Sequence, residues 1–203
     1  MAAFDAPRTG RHRVGTVSGV VGAVLAAGRG SRLGAPKAEL ILDGERLVDR
    51  AVRVLTDGGC GRVVVVVREG VNVPEADVVV NPDPDRGMRS SLTLAVDAAD
   101  AVGSPDAIAV VLVDMPGVTA AAVRAVVRAW RPGRILVARY RNGRGHPTVM
   151  SPQLWRAALA LAGPDEGARA LLALRPELVD EIDTPGAADD LDSPADLARW
   201  QQD

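Results

Sequence analysis

The chain has 203 residues, 47% of them hydrophobic and 25% charged, with 24 Lys and Arg against 26 Asp and Glu. That length suits one compact domain with a small appendage at most. A net charge of −2 and only five aromatic residues (Phe4, Trp130, Tyr140, Trp155, Trp200) supply neither the basic excess nor the stacking platforms that generic nucleic-acid binding needs.

The single cysteine, Cys60, excludes an internal disulfide and a cysteine-built zinc site and points to a reducing cytoplasm. No apolar run reaches the roughly 18 residues of a membrane span. Residues 1–17 carry Pro7, Arg8, Arg11, His12, Arg13 and two glycines without a signal-type apolar stretch, and are read as a disordered leader before a domain over 18–203. Val20 to Leu25 is then a nearly continuous apolar run, the pattern of a strand buried on both faces. The same texture returns at Arg62 to Val67, Asp77 to Val80, Ala107 to Val113 and Ile135 to Ala138.

Helical spacing lies between these runs. Leu47, Val48, Ala51, Val52 and Leu55 form one apolar face that Gly58 and Gly59 terminate. A second helix is expected with Ser90 or Ser91 as its cap and Leu92, Ala95, Val96 and Ala99 inward. A third starts at Thr119 and buries Val123, Val126, Val127 and Trp130. Strands alternating with helices of this length predict an α/β fold, a doubly wound and mostly parallel Rossmann-like sheet. Asn142-Gly143 is a turn signal and predicts a small antiparallel excursion. Helical stretches over Pro152 to Leu161 and Gly167 to Leu174, and a last helix from Pro194, close the chain.

Ligands of an open parallel sheet gather at the carboxyl ends of its strands. The first strand is followed by Ala26-Ala27-Gly28-Arg29-Gly30-Ser31-Arg32-Leu33-Gly34-Ala35-Pro36-Lys37, a loop whose glycines let backbone N–H groups approach an anion while Arg32 and Lys37 neutralise it. Glycines at 28, 30 and 34 miss the dinucleotide fingerprint, and the P-loop ending is absent. Asp114-Met115-Pro116 follows another buried strand, where a carboxylate is well placed to hold Mg2+ against phosphate oxygens; the alternative is a turn former ahead of Pro116. Asp189-Asp190-Leu191-Asp192-Ser193-Pro194 offers further carboxylates, although Asp192 or Ser193 also suits the cap of the last helix. His146 lies between glycine and proline and fits a substrate contact or a structural histidine. No Gly-x-Ser-x-Gly elbow occurs.

Together these motifs resemble the MobA-like nucleotidyltransferases, which transfer NMP from an NTP and release pyrophosphate. The resemblance rests on Leu25 to Gly34 with Pro36-Lys37, Asn81-Pro82 leading to Gly87-Met88-Arg89-Ser90-Ser91-Leu92, Asp114-Met115-Pro116, Gly145-His146-Pro147, Asp165 to Arg169 and Asp192 to Leu197, all in order. Leu-Ala-Ala-Gly with Gly-His-Pro is similar to molybdenum cofactor cytidylyltransferase. Val113, Arg89 and Leu33 depart from the family pattern, which usually has glycine, a small residue and methionine there.

The resemblance implies the nucleotide-diphospho-sugar transferase type of fold and CMP transfer from CTP to a phosphorylated acceptor such as molybdopterin, with molybdoenzyme maturation factors as further partners. It implies that Leu25, Ala26, Ala27, Gly28, Gly30, Ser31, Asn81, Gly87 and Ser90 border the nucleotide and that Arg32 and Lys37 hold the triphosphate. It also implies that Asp114 and Asp192 hold Mg2+ and that His146, Asp165 and Arg169 lie towards the acceptor. Two other readings remain: an oxidoreductase of the nicotine blue oxidoreductase type, a label carried by similar Ala- and Arg-rich chains, and a non-catalytic cofactor carrier.

Overall fold

Val20–Leu25 forms β1 and is buried along its whole length, as its unbroken apolar run requires. The structure, a computed structural model, describes residues 19–200; the leader expected over 1–17 lies outside them. A two-residue hairpin, β2 (Ile41–Leu42) and β3 (Glu45–Arg46), leads into α1 (Leu47–Asp57). Then come β4 (Arg62–Val67), β5 (Asp77–Val80), α2 (Met88–Gly103), β6 (Ala107–Leu112) and α3 (Ala120–Ala129). The remainder is β7 (Ile135–Tyr140), β8 (Gly143–Met150), α4 (Pro152–Leu161), α5 (Arg169–Leu174), β9 (Val179–Asp183) and α6 (Pro194–Trp200). No helix of the described residues is long and apolar enough to cross a membrane.

Seven strands form one sheet in the order β5-β4-β1-β6-β8-β7-β9, with β8 alone antiparallel to its neighbours. The excursion predicted from Asn142-Gly143 is the β7–β8 hairpin. Alternation along β1 sends Val20 and Val24 into a core with α1 and α3, and Val21, Ala23 and Leu25 into a second core with α2 and α4. Each fully buried valine or leucine contributes roughly 1.5–3 kcal/mol, so these two layers carry the stability that scarce aromatics do not. Gly22 matters here: a Cβ at that position would lie 3.0 Å from Leu55 Cδ1, so glycine is what lets α1 press against β1. Trp155 is buried in the second core, its indole N–H donating to the Ile108 carbonyl at 3.0 Å.

Several boundaries shift. The second helix begins at Met88 with Gly87 as its cap, not at Ser90 or Ser91, because Gly87 has φ +91° and ψ 177° and turns the chain where a side-chain cap is unnecessary. Ser90 instead donates its hydroxyl to the Gly87 carbonyl at 2.8 Å. Thr119 caps α3 as expected, accepting from the Ala122 N–H at 3.1 Å. β6 ends one residue early, at Leu112, β7 runs on to Tyr140, and α5 begins at Arg169.

Candidate active site

The loop after β1 continues the sheet for one residue, the Ala26 N–H donating to the Val66 carbonyl at 2.8 Å, and then leaves it. Gly30 takes φ +60°, and a Cβ there would lie 2.0 Å from the Ala35 carbonyl, so the loop closes on itself only with glycine. Leu25, Ala27, Gly28, Gly87, Lys37 and Asp114 line a slot of about 240 Å³ at the carboxyl edge of β1 and β6. Ala26 is buried, and Ser31 and Arg32 are exposed on the same loop, outside the residues lining the slot.

Asn81 is buried and its polar atoms are committed. Its amide donates to the Ser90 and Ser91 hydroxyls, each at 3.0 Å, and its oxygen accepts from the Asp83 N–H. Asn81 and Ser90 thus fasten the end of β5 to the start of α2 and hold Gly87 against the slot, while lining a separate groove themselves.

Beyond the slot, His146, Asp165 and Arg169 line a larger cleft of about 510 Å³. Leu25, Met88, Leu112 and Asp165 belong to both cavities, so the two adjoin. Leu92, Val110, Val137 and Trp155 line the cleft with apolar surface, whereas Arg144, Asp165, Glu166 and Arg169 bring charge to it.

Burial lowers the pKa of His146, which stays neutral near pH 7. Its Nδ1 lies 2.9 Å from the Val110 carbonyl, so the ring proton sits on Nδ1 and leaves Nε2 as an acceptor. Because the folded value lies below the unfolded one, this group's contribution is complete above about pH 6.5 and is lost as the pH falls through the folded value. His146→Phe is therefore expected to flatten the acid fall in unfolding free energy, as read by urea titrations between about pH 7.5 and 5.5.

The charged centre lies where the slot meets the end of β6. Lys37 Nζ donates to Asp114 Oδ2 at 2.6 Å and also to Asp192 Oδ1. Lys37 keeps 14% of its side-chain surface exposed, Asp114 21% and Asp192 52%, so the pair is deepest at Asp114. Burial pulls the Lys37 pKa down, but the hydrogen bonds and charges of the two aspartates outweigh it and hold the ammonium above its ordinary value. Asp190 is raised by burial and then by the negative charge of Asp114 and Asp192.

The segment carrying Asp192 is pinned by the Leu191 N–H, which donates to the Asp114 carbonyl at 2.7 Å, and by the fully buried Leu191 side chain. Ser193, not Asp192, caps α6, accepting from the Asp196 N–H at 3.2 Å while the Asp196 carboxylate accepts from the Ser193 N–H and hydroxyl. Asp192 is left to Lys37.

Asp114 Oδ1 is buried with no hydrogen-bond partner. Among the described residues no three or more His, Cys, Asp or Glu side chains form a metal cage. Mg2+ needs only one or two protein carboxylates when substrate phosphates complete its shell, so an unpartnered Asp114 oxygen beside Asp192 fits such an ion.

Two residues of this region, Arg68 and Asp85, escaped sequence reading, and a third, Asp190, was read only as one of a run of carboxylates. Asp190 lines the cleft two residues before Asp192, and its place in an acidic run was the available signal. Arg68 donates to the Ala27 carbonyl at 3.2 Å and steadies the loop, and Asp85 takes the Arg29 guanidinium, removing one loop cation from the slot. Neither leaves a motif in the sequence.

Comparison with known proteins agrees with this architecture. Residues 22–181 match the MobA-like NTP transferase domain. A protein of Paenarthrobacter nicotinovorans named nicotine blue oxidoreductase is 40% identical over 179 residues, 81% of this chain and 86% of that one. A probable molybdenum cofactor guanylyltransferase of Opitutus terrae is 39% identical over 128 residues, 62% of this chain and 63% of that one. Among solved structures, Rv0371c of Mycobacterium tuberculosis H37Rv superposes with a TM-score of 0.78 at 26% identity, covering 93% of this chain and all (100%) of that one. The same protein has been solved in complex with manganese (TM-score 0.72, 24% identity, 91% and 99% covered). The chain belongs to the MobA-like NTP transferase domain family and is an enzyme of the nucleotidyltransferase kind.

Proposed function

We propose that the protein transfers CMP from CTP to a phosphorylated acceptor such as molybdopterin, with release of pyrophosphate and with Mg2+ as its metal. The observation that carries this reading is the Lys37, Asp114 and Asp192 cluster between a glycine-lined slot and a larger, partly apolar cleft. In it, the backbone of Leu25 to Gly28 borders base and ribose, with Gly87 on the opposite wall and Asn81 and Ser90 holding that wall in place. The Ala27 methyl narrows the slot relative to glycine and favours the smaller pyrimidine.

Asp114 and Asp192 would hold Mg2+, which when bound supplies charge neutralisation to the triphosphate and the departing pyrophosphate. Gly30 and Ser31 shape the loop, and Arg32 and Lys37 take up phosphate charge as it shifts. The acceptor, oriented by neutral His146 and by Asp165 and Arg169, presents a phosphate oxygen to the α-phosphorus. One P–O bond forms there as the bond to the β-phosphate breaks, and no covalent enzyme intermediate is needed.

A thermal-shift panel of CTP, GTP, ATP, UTP and NAD(P)H, with and without Mg2+, tests this. CTP with Mg2+ at about 100 times its dissociation constant is expected to add about 2.7 kcal/mol, a rise of about 5–10 °C for a chain of this size. A larger shift with GTP overturns the base assignment, and no shift with any NTP overturns the reading itself. The 40% identity to a protein named nicotine blue oxidoreductase favours a second reading, reduction of a quinoid dye by NAD(P)H. A shift with NAD(P)H alone, followed by its consumption with such a dye, would select it. Ligand binding that survives loss of both Asp114 and Asp192 would mark a carrier.

A further inference from the structure

Lys37 is the only lysine in the chain, against 23 arginines. Its backbone is fixed beside the fully buried Ala38 in a short 3-10 turn, and its stem passes Gly28, where a Cβ would lie 3.9 Å from Lys37 Cδ. The head alone is therefore free to pivot between the Asp114–Asp192 pair and the slot that it also lines. An ammonium on a flexible four-carbon stem suits a cation that must change partners, whereas a guanidinium fork would grip both carboxylates.

We propose that the Lys37 ammonium is a placeholder for the divalent cation: the two exclude one another from Asp114 and Asp192, and the metal enters when a triphosphate draws Lys37 into the slot. The inference rests on reading Asp114 and Asp192 as the metal pair. Two positive charges cannot share two carboxylates at hydrogen-bonding distance without strong repulsion. Nucleotide and metal binding are then coupled through Lys37, in addition to any bond between metal and phosphate, and by linkage each tightens the other. Free metal without nucleotide finds both carboxylates already engaged and their charge halved.

The test needs no nucleotide. Mn2+ is titrated into the full chain and the free ion followed by EPR. Lys37→Met and Lys37→Gln are each expected to bind Mn2+ about ten-fold or more tighter than the unmodified chain. Lys37→Arg keeps the positive charge and the weak affinity, and adding Asp114→Asn to Lys37→Met abolishes the gain. Equal Mn2+ affinity with and without the ammonium overturns the proposal, as does a gain in Lys37→Arg matching that of Lys37→Met.

Should the neutral variants fail to fold, the unmodified chain decides. 15N-lysine labelling gives a single side-chain ammonium signal, expected to stay in place at Mg2+ concentrations too low to compete bound Mn2+ off the chain and to move when CTP is added at the same Mg2+ concentration. A signal that stays in place while Mg2+ competes Mn2+ off the chain overturns the proposal. If no NTP binds, the nucleotidyl reading fails while the nucleotide-free Mn2+ comparison still settles the competition.

Discussion

Asp114→Asn is expected to lower pyrophosphate release from CTP by about 10²–10³-fold while the protein stays folded. The substitution keeps the side chain's shape but removes the charge at the deepest point of the site, where Oδ1 is buried without a partner and Oδ2 accepts from Lys37 at 2.6 Å. In a partly dry setting such a charge is worth more than it would be in water, and the loss corresponds to about 2.7–4 kcal/mol in the barrier. Asp192→Asn should cost less, because 52% of that side chain is exposed and solvent screens it. The measurement is steady-state pyrophosphate release, with circular dichroism to verify the fold. An Asp114→Asn enzyme that keeps its turnover would remove Asp114 from the chemistry.

The second large effect belongs to Gly87→Ala. Gly87 has φ +91° with ψ near 180°, a region essentially closed to residues bearing a Cβ. A Cβ there would lie 2.4 Å from both the Pro164 carbonyl and Asp165 Oδ1. The backbone carbonyl cannot swing aside, so the wall separating slot from cleft must open. A loss of about 2 kcal/mol or more, about 5 °C or more in melting temperature, is expected together with weaker CTP binding. Gly34→Ala is the matched control: its φ of +75° is also positive, yet nothing lies within 4 Å of the added carbon. It should cost only the left-handed strain, roughly 1–2 kcal/mol. Equal melting temperatures for the two variants would contradict the clash.

The buried strands were legible because β1 and β4 lie inside the sheet and carry uninterrupted valine-rich runs. β9 was not: Val179-Asp180-Glu181-Ile182-Asp183 lies at the sheet edge, and Arg134, Arg139 and Arg144 cover its acidic side chains, partners visible only in three dimensions. The hairpin of β2 and β3 has two residues per strand, too few for any periodicity.

At the site, motif order identified the glycine loop, Asp114 and Asp192. What they do to each other was hidden, because Lys37 meets Asp114 across 77 residues and Asp192 across 155. The joint phosphate cradle of Lys37 and Arg32 was read from the loop alone; the ion pairs that hold Lys37 to the two carboxylates, and the exposure of Arg32 on the same loop, are what the fold adds.

That span of 155 residues also bears on the order of folding. The Leu191 N–H docks on the Asp114 carbonyl and so brings Asp192 to Lys37. A contact between residues this distant carries a larger loop-closure cost than the local turns of the glycine loop, so the charged centre is completed late, once the sheet between them is ordered.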